Sequence, residues 1–155
     1  KNFSEHYGHS IPMAIICEDF PEIHNCLELD HDNKDSSGMP GVKINYKLSE
    51  NSKKMLSHGL SKGKEIMKEA GAKSILAFGP VRATGWHLMG TTKMGTSNKN
   101  SVVNEFGQTH DIKNLVIVDS SIFVTSAGVN PISTLQAIAL KITHNIKKFP
   151  KRFFN

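Results

Sequence analysis

Two stretches of this sequence carry a sustained helical period, residues 50–70 and 131–148, and the ground between them carries none. That gap constrains the fold more than any other feature. A stretch without lasting periodicity lays down neither long strands nor further long helices, so residues 71–130 have to be built from short strands, turns and loops. In the first helical stretch Met55, Leu56, Leu60, Ile66 and Met67 form an apolar face that reads as packing on a sheet. Ser49 is placed to cap it, Gly71 to end it as a C′ glycine, and Gly59 and Gly63 read as local weak points. In the second, Ile132, Leu135, Ala139, Ile142 and Ile146 make the face. Asn130 is a natural N-cap there, Pro131 falls at N1, and Pro150 stops the helix.

The strands are all short. Ile11 to Ile16 is apolar and bounded by turn residues, with Pro12 at its start. Cys26 to Leu29 is a second candidate, and the polar run Asp30 to Gly38 reads as a loop. Val42, Ile44 and Tyr46 alternate with Lys43, Asn45 and Lys47, the period of a half-buried strand. Ser74 to Phe78, Val102-Val103 and Leu115 to Val118 complete the set, the last two lying around a turn at Phe106-Gly107. The expected class is α+β: antiparallel strands from the first half, one packed helix, and a final strand–loop–helix.

A chain of 155 residues suffices for one compact domain, and 38% apolar with 21% charged residues excludes wholesale disorder. The longest apolar runs are too short to span a bilayer. The formal charge of +5 comes from dispersed lysines, densest at Lys147, Lys148, Lys151 and Arg152, where cations complement a helix C-terminus. No nucleic-acid motif accompanies that charge, so no nucleic-acid partner is expected. Cys17 and Cys26 flank a turn at Pro21-Glu22; a hairpin disulfide and two buried thiols are both open, with thiols favoured. The sequence opens on Lys1-Asn2-Phe3 with no initiator Met and no leader pattern, as a piece of a longer protein would. His6-x-x-His9 lacks further ligands at metal spacing, so no metal is expected. Asn2-Phe3-Ser4 is a glycosylation sequon, meaningful only in a secreted eukaryotic protein.

Three short elements carry chemistry: His87-Leu88-Met89-Gly90-Thr91-Thr92-Lys93-Met94-Gly95, then Val116-Ile117-Val118-Asp119-Ser120-Ser121, then Gly128-Val129-Asn130-Pro131. The first is glycine- and threonine-rich, a poor former of regular structure and a good former of sites. His87 is the usual kind of side chain for proton transfer near neutral pH. The helix opening at Pro131 offers unpaired N–H groups and partial positive charge, entered through the small residues Thr125, Ser126, Ala127 and Gly128. Each element has a plainer explanation: His87 as a structural histidine, Asn130 as a cap, Asp119 as a turn residue. On these grounds alone the reading ends at an α/β unit with an anion-favouring helix terminus.

Taken in order, His87-x-x-Gly90-Thr91-x-x-Met94-Gly95, Ser101-Val102-Val103-Asn104, Val118-Asp119-Ser120-Ser121 and Asn130-Pro131-x-x-Thr134 with Gln136-Ala137-Ile138-Ala139 resemble the C-terminal signature of the glucose–methanol–choline oxidoreductases. The resemblance runs from about Gly85 to Ile146 and more weakly back to Ile11. The wording around His110-Asp111-Ile112-Lys113-Asn114-Leu115 and Phe123 to Pro131 is similar to the bacterial branch with sugar and gluconate dehydrogenase flavoprotein subunits. Asn104 stands where the family often has Asp, and Leu88 where some branches have Pro; both bear on branch and substrate.

The resemblance implies an FAD-dependent oxidoreductase that oxidises a CH–OH group of a sugar, polyol or alcohol by hydride transfer to flavin. By position, His87 and Asn130 would be catalytic, His87 moving the hydroxyl proton and Asn130 holding the substrate oxygen. Asp119, Ser120, Asn130, Pro131 and Thr134 would line the FAD. Residues 1–101 would form mainly the substrate-domain sheet and helix, with the histidine loop at 85–95, and residues 102–155 would complete the FAD-binding domain. The family's diphosphate-gripping Gly-x-Gly-x-x-Gly is absent here, so the chain reads as a fragment or a separately encoded half. The implied partners are a missing N-terminal FAD-binding region, the substrate and an electron acceptor, with oxygen, a quinone, a dye and an electron-acceptor protein such as a cytochrome all open. The second helix would then expose Ile132, Leu135 and Ile142 when the chain stands alone. The competing readings are a non-catalytic binding or assembly domain that retains the fold, and an anion-binding module unrelated to flavin.

Overall fold

The computed structural model of the chain describes residues 6–81, 84–126 and 128–154. The opening residues, the sequon at Asn2 to Ser4, Arg82 and Ala127 of the small-residue loop lie outside the described residues. Strand β1 (Cys26–Lys34) pairs antiparallel with β2 (Pro40–Asn45), followed by helix α1 (Glu50–Glu69), a 3-10 turn (Ser120–Ile122), helix α2 (Ile132–Lys148) and a short helix α3 (Pro150–Phe154). Two antiparallel strands and these helices make an α+β chain, as expected.

The hairpin is longer than the sequence indicates. Polar residues carry β1 through Lys34, because a bulge between Asp30 and Lys34 takes up the extra chain. Asp30 organises that bulge: its carboxylate accepts from the backbone N–H of Asp32 and Asn33 and, at 2.8 Å, from the Asn33 amide. The Asn33 amide is the main cause holding the Asp30 carboxyl below its ordinary value. Leu27 faces Ile44 and Leu29 faces Val42 across the ladder. The expected half-burial of β2 does not occur: Val42 is 63% and Ile44 72% exposed, since no described layer lies over that face.

Helix α1 begins and ends as its sequence dictates. The Ser49 hydroxyl accepts from Ser52 N–H at 3.0 Å. At the other end Gly71 adopts φ +86, its N–H donates to Lys68 O, and Ala72 N–H donates to Met67 O. That pair of bonds is a Schellman closure, which needs a left-handed residue at the glycine. What α1 packs against departs from expectation. Its buried residues are Ser52 and Gly63. Ile15 lies across the groove left by Gly59 and Gly63, so the two glycines are a seat for a side chain and not weak points. Ile11 to Ile16 therefore forms no strand; it runs irregularly over the helix, without a ladder partner among the described residues. Ser74 to Phe78 likewise forms no strand, and Leu76 and Phe78 are exposed.

The core lies in the second half. Val103, Ile122 and Ile142 are buried together, with Met94, Val116, Ile117, Phe123, Ile138 and Ile146 around them. The expected strands at 102–103 and 115–118 reduce to single bridges: Val103 to Met94 and Thr109, and Val116 to Gln108. Helix α2 presents Ile138, Ile142 and Ile146 inward. The expectation that Ile142 would be exposed fails, as it is 1% exposed and packed with Val103 and Ile122, whereas Leu135 is half-buried and Ile132 near the helix start is open to solvent. Gln108 ties α3 to this core, donating from its amide to Lys113 O and to Arg152 O. Both cysteines are free thiols.

Candidate functional site

His87 is half-buried and lies in an irregular segment that is fastened at one side only. The fastening is a run of bonds to the 3-10 turn. Leu88 O accepts from the Ser120 hydroxyl at 2.8 Å, Gly90 N–H donates to Ser120 O, Thr92 N–H to Ser121 O at 2.9 Å, and Met94 N–H to Ile122 O at 2.9 Å. The hydroxyls of Thr92 and Ser121 meet at 2.6 Å. Alternate residues of 90–94 thus donate to three successive carbonyls. Gly90 is needed for the turn into this ladder: it adopts φ +84, and a Cβ there would sit 3.4 Å from Phe123 O.

Asp119 stands at the head of the 3-10 turn and accepts from Ser121 N–H at 2.8 Å. Hydrogen bonding from Ser121, first its hydroxyl and then its backbone N–H, holds the Asp119 carboxyl below its ordinary value. The group therefore stays anionic at neutral pH while remaining exposed. Two of the three candidate segments, His87 to Gly95 and Asp119 to Ser121, are hence brought together by direct bonds.

The third segment is placed by other contacts. Asn130 does not cap α2: the cap position is Pro131, at φ −87 and ψ 0, and among the described residues no side chain bonds to the helix start. Proline presents its carbonyl to Leu135 N–H at 2.9 Å and leaves the first-turn N–H groups unclaimed by any side chain. Asn130 and Thr134 are exposed and Pro131 half-buried. No hydrogen bond between Asn130 and the His87 segment is present among the described residues. What fixes the approach to Asn130 is the other end of the molecule. Ser126 hydroxyl donates to Asp19 O at 3.1 Å, Thr125 hydroxyl to Glu18 carboxylate at 3.2 Å, and a Cβ on Gly128 would lie 3.3 Å from Ile16 O.

Sequence reasoning missed Glu18 and Asp19. The signal available was the adjacency of two acidic residues after an apolar run, which has no functional meaning until the partners are known. Asp19 accepts from the Ser52 hydroxyl at 2.7 Å and from the Tyr46 hydroxyl, so one carboxylate joins the end of β2 to the start of α1. Among the described residues no group of three His, Cys, Asp or Glu is placed to hold a metal ion, and no helix is long and apolar enough to cross a membrane. Concavities of about 540 Å³ beside Ile15 to Glu18 and about 720 Å³ beside Phe106 and Arg152 include neither His87 nor Asn130.

Comparison with known proteins gives a family model described as GMC oxidoreductase, matching residues 21–139. A 2-methyl-1,2-propanediol dehydrogenase of Mycolicibacterium austroafricanum is 39% identical over 142 residues, covering 91% of this chain and 26% of that protein. A 6'''-hydroxyparomomycin C oxidase of Streptomyces lividus is 31% identical over 146 residues, 91% of this chain and 26% of its own length. The fructose dehydrogenase large subunit of Gluconobacter japonicus is 29% identical over 134 residues, 86% of this chain and 24% of its own. The chain spans about a quarter of the length of these relatives.

Proposed function

Since the chain belongs to the glucose–methanol–choline oxidoreductase family, we propose that it is the C-terminal catalytic part of an FAD-dependent oxidoreductase that oxidises a CH–OH group of a sugar, polyol or alcohol. The observation that supports this reading is the ladder joining residues 88–94 to Ser120–Ile122, because it ties the segment that carries the proton-transfer candidate to the Asp119-Ser120 turn. Proximity of that kind is what a two-part site requires.

In this reading residues 1–101 give mainly the substrate side, and residues 102–155 complete a FAD-binding domain whose remainder lies in an N-terminal region. The residues present fit a flavin. The first-turn N–H groups of α2 are free of side-chain caps and suit an acceptor edge that gains negative charge. Asp119, exposed, and Ser120, half-buried, offer a turn for the cofactor to lie along, and Thr134 adds a hydroxyl on the first turn. When bound, FAD supplies the hydride acceptor. His87, half-buried beside the turn, receives the substrate's hydroxyl proton, the usual task of an imidazole in such a site. Asn130 donates its amide N–H to the substrate oxygen and fixes the carbon's hydrogen toward the acceptor. That role is open to Asn130 because Pro131, not Asn130, occupies the cap. An electron acceptor, whether oxygen, a quinone, a dye or a partner protein, would complete the turnover.

The test uses the protein together with its N-terminal region. Flavin absorbance is followed without oxygen while 2-methyl-1,2-propanediol, fructose, gluconate and simple alcohols are added. The expected result is bleaching by one of these, slowed in His87→Ala by about 10²–10⁴-fold with flavin still bound, the range for a lost general base. A His87→Ala protein that bleaches at the wild-type rate removes His87 from the reaction. A protein that binds no flavin refutes the reading as a whole.

A further inference from the structure

We propose that Asp19 is a positioning residue for Asn130, acting as a strut between α1 and the loop that enters α2; the proposal rests on the reading of Asn130 as the group that orients substrate. The strut has two ends. At one end the Asp19 carboxylate is held by two hydroxyl donors, Ser52 at 2.7 Å and Tyr46, and Ser52 is 2% exposed. Ser52 is itself fixed by the helix cap, with its N–H on the Ser49 hydroxyl and its own hydroxyl 2.9 Å from it. The negative charge sits at the start of α1, where the helix dipole favours it. At the other end the Asp19 carbonyl accepts from Ser126 at 3.1 Å, and Glu18 beside it accepts from Thr125 at 3.2 Å. Residues more than a hundred positions apart are thereby locked together, and Asn130 follows Ser126 by only four residues.

This arrangement matters because, among the described residues, no local hydrogen bond holds the Asn130 side chain. Its side chain makes no cap bond, and α2 is anchored by Ile138, Ile142 and Ile146, well past its first turn. The apolar seat of the same segment, Ile15 over Gly59 and Gly63, makes residues 15–19 a stiff platform. The direction of the Asn130 amide is therefore set from the α1 side through Asp19 and Ser126. The His87 segment is set separately, through Ser120–Ile122. Two independent fixings predict that one can be loosened without the other.

The experiment compares wild type with Ser126→Ala, Ser126→Thr and Asp19→Asn in the full-length flavoprotein. The first readout is amide hydrogen exchange, which does not depend on turnover. Exchange in peptides covering 128–131 is expected to rise about fivefold in Ser126→Ala and Asp19→Asn, the factor for one lost hydrogen bond, with peptides covering 90–95 unchanged and Ser126→Thr restored. Equal rises in both regions would mean general destabilisation and overturn the proposal, as would no rise at 128–131. The second readout is the rate of flavin reduction at saturating concentration of whichever panel alcohol works fastest on wild type. Ser126→Ala is expected to lower it about tenfold with little change in KM, and to add nothing in an Asn130→Ala background, since a group acting through Asn130 has no route without it. If the two losses multiply, the proposal is wrong while Asn130 keeps its role. If Asn130→Ala alone leaves the rate untouched, the role of Asn130 is wrong and the strut loses its purpose with it.

Discussion

Replacing Gly59 by alanine should destabilise α1, against the sign that helix propensity gives. In a helix interior alanine is favoured over glycine by about 1 kcal/mol. The geometry opposes that gain: a Cβ on Gly59 would lie 2.7 Å from Ile15 Cγ2. That methyl is attached to a β-branched carbon with a stiff χ1, so relief requires the 13–17 segment to lift. Overpacking of this kind costs about 1–3 kcal/mol, leaving a net loss of about 1 kcal/mol. Gly63 is the control. Its Cβ would meet Ile15 Cδ1 at 2.8 Å, the far end of the same side chain. Turning that end aside costs about 0.5–1.5 kcal/mol, so Gly63→Ala should be close to neutral. The assay is hydrogen exchange of amides in 50–69, read as the free energy of local opening, for both variants in wild-type, Ile15→Val and Ile15→Ala backgrounds. Ile15→Val removes Cδ1 only, so Gly63→Ala should become stabilising by about 1 kcal/mol while Gly59→Ala stays unfavourable. Ile15→Ala should release both, giving a coupling of about 2 kcal/mol with Gly59. A Gly59→Ala variant that stabilises α1 with Ile15 in place would refute the seating of Ile15 on the helix.

Two further outcomes follow from single positions. Gly107→Ala should cost about 2–4 kcal/mol, because the residue sits at φ +69 and its Cβ would lie 2.7 Å from both Ile117 O and Ile142 Cδ1. Ile117 N–H donates to Gly107 O at 2.8 Å, which holds Ile117 against the turn so that its own carbonyl cannot step aside; a denaturation midpoint like wild type would show the turn to be otherwise arranged. The Tyr46 hydroxyl is pushed up to about 12, first by its partial burial and then by the hydrogen bond and charge of Asp19. A raised folded value favours the protonated form, so this contribution is whole below pH 10 and is lost as pH rises through about 12. Ultraviolet titration of wild type minus Tyr46→Phe should show its step near 12, and Asp19→Asn should bring the step down; a wild-type step near 10 would contradict the contact.

Much of this fold was legible where the deciding forces are local. Ser49 and Gly71 mark the ends of α1 because a cap hydroxyl and a left-handed glycine act on their own neighbours. The motif segments at 87–95 and 119–121 were visible as sequence, and the ladder from 90–94 to 120–122 is what joins them in the fold. What was illegible depends on partners distant in sequence. Gly59 and Gly63 look like flaws in a helix until Ile15 is known to lie on them. Ile11 to Ile16 has the composition of a strand, but a strand needs a ladder partner, and the segment finds a helix instead. Asn130-Pro131 reads as cap and first residue, yet the boundary falls one position later, which leaves the asparagine unspent. Asp19 gives no periodic or motif signal, since its importance lies in joining residues 46, 52 and 126.

The ladder under His87 also fixes an order of events during synthesis. Residues 90–94 leave the ribosome before the carbonyls of 120–122 that receive them, and those carbonyls are themselves steadied by Ile122, which is buried against Ile142 of a still later helix. The histidine segment can therefore be fastened only after residues 120–122 have been made, and the core residue that steadies them, Ile142, is made later still.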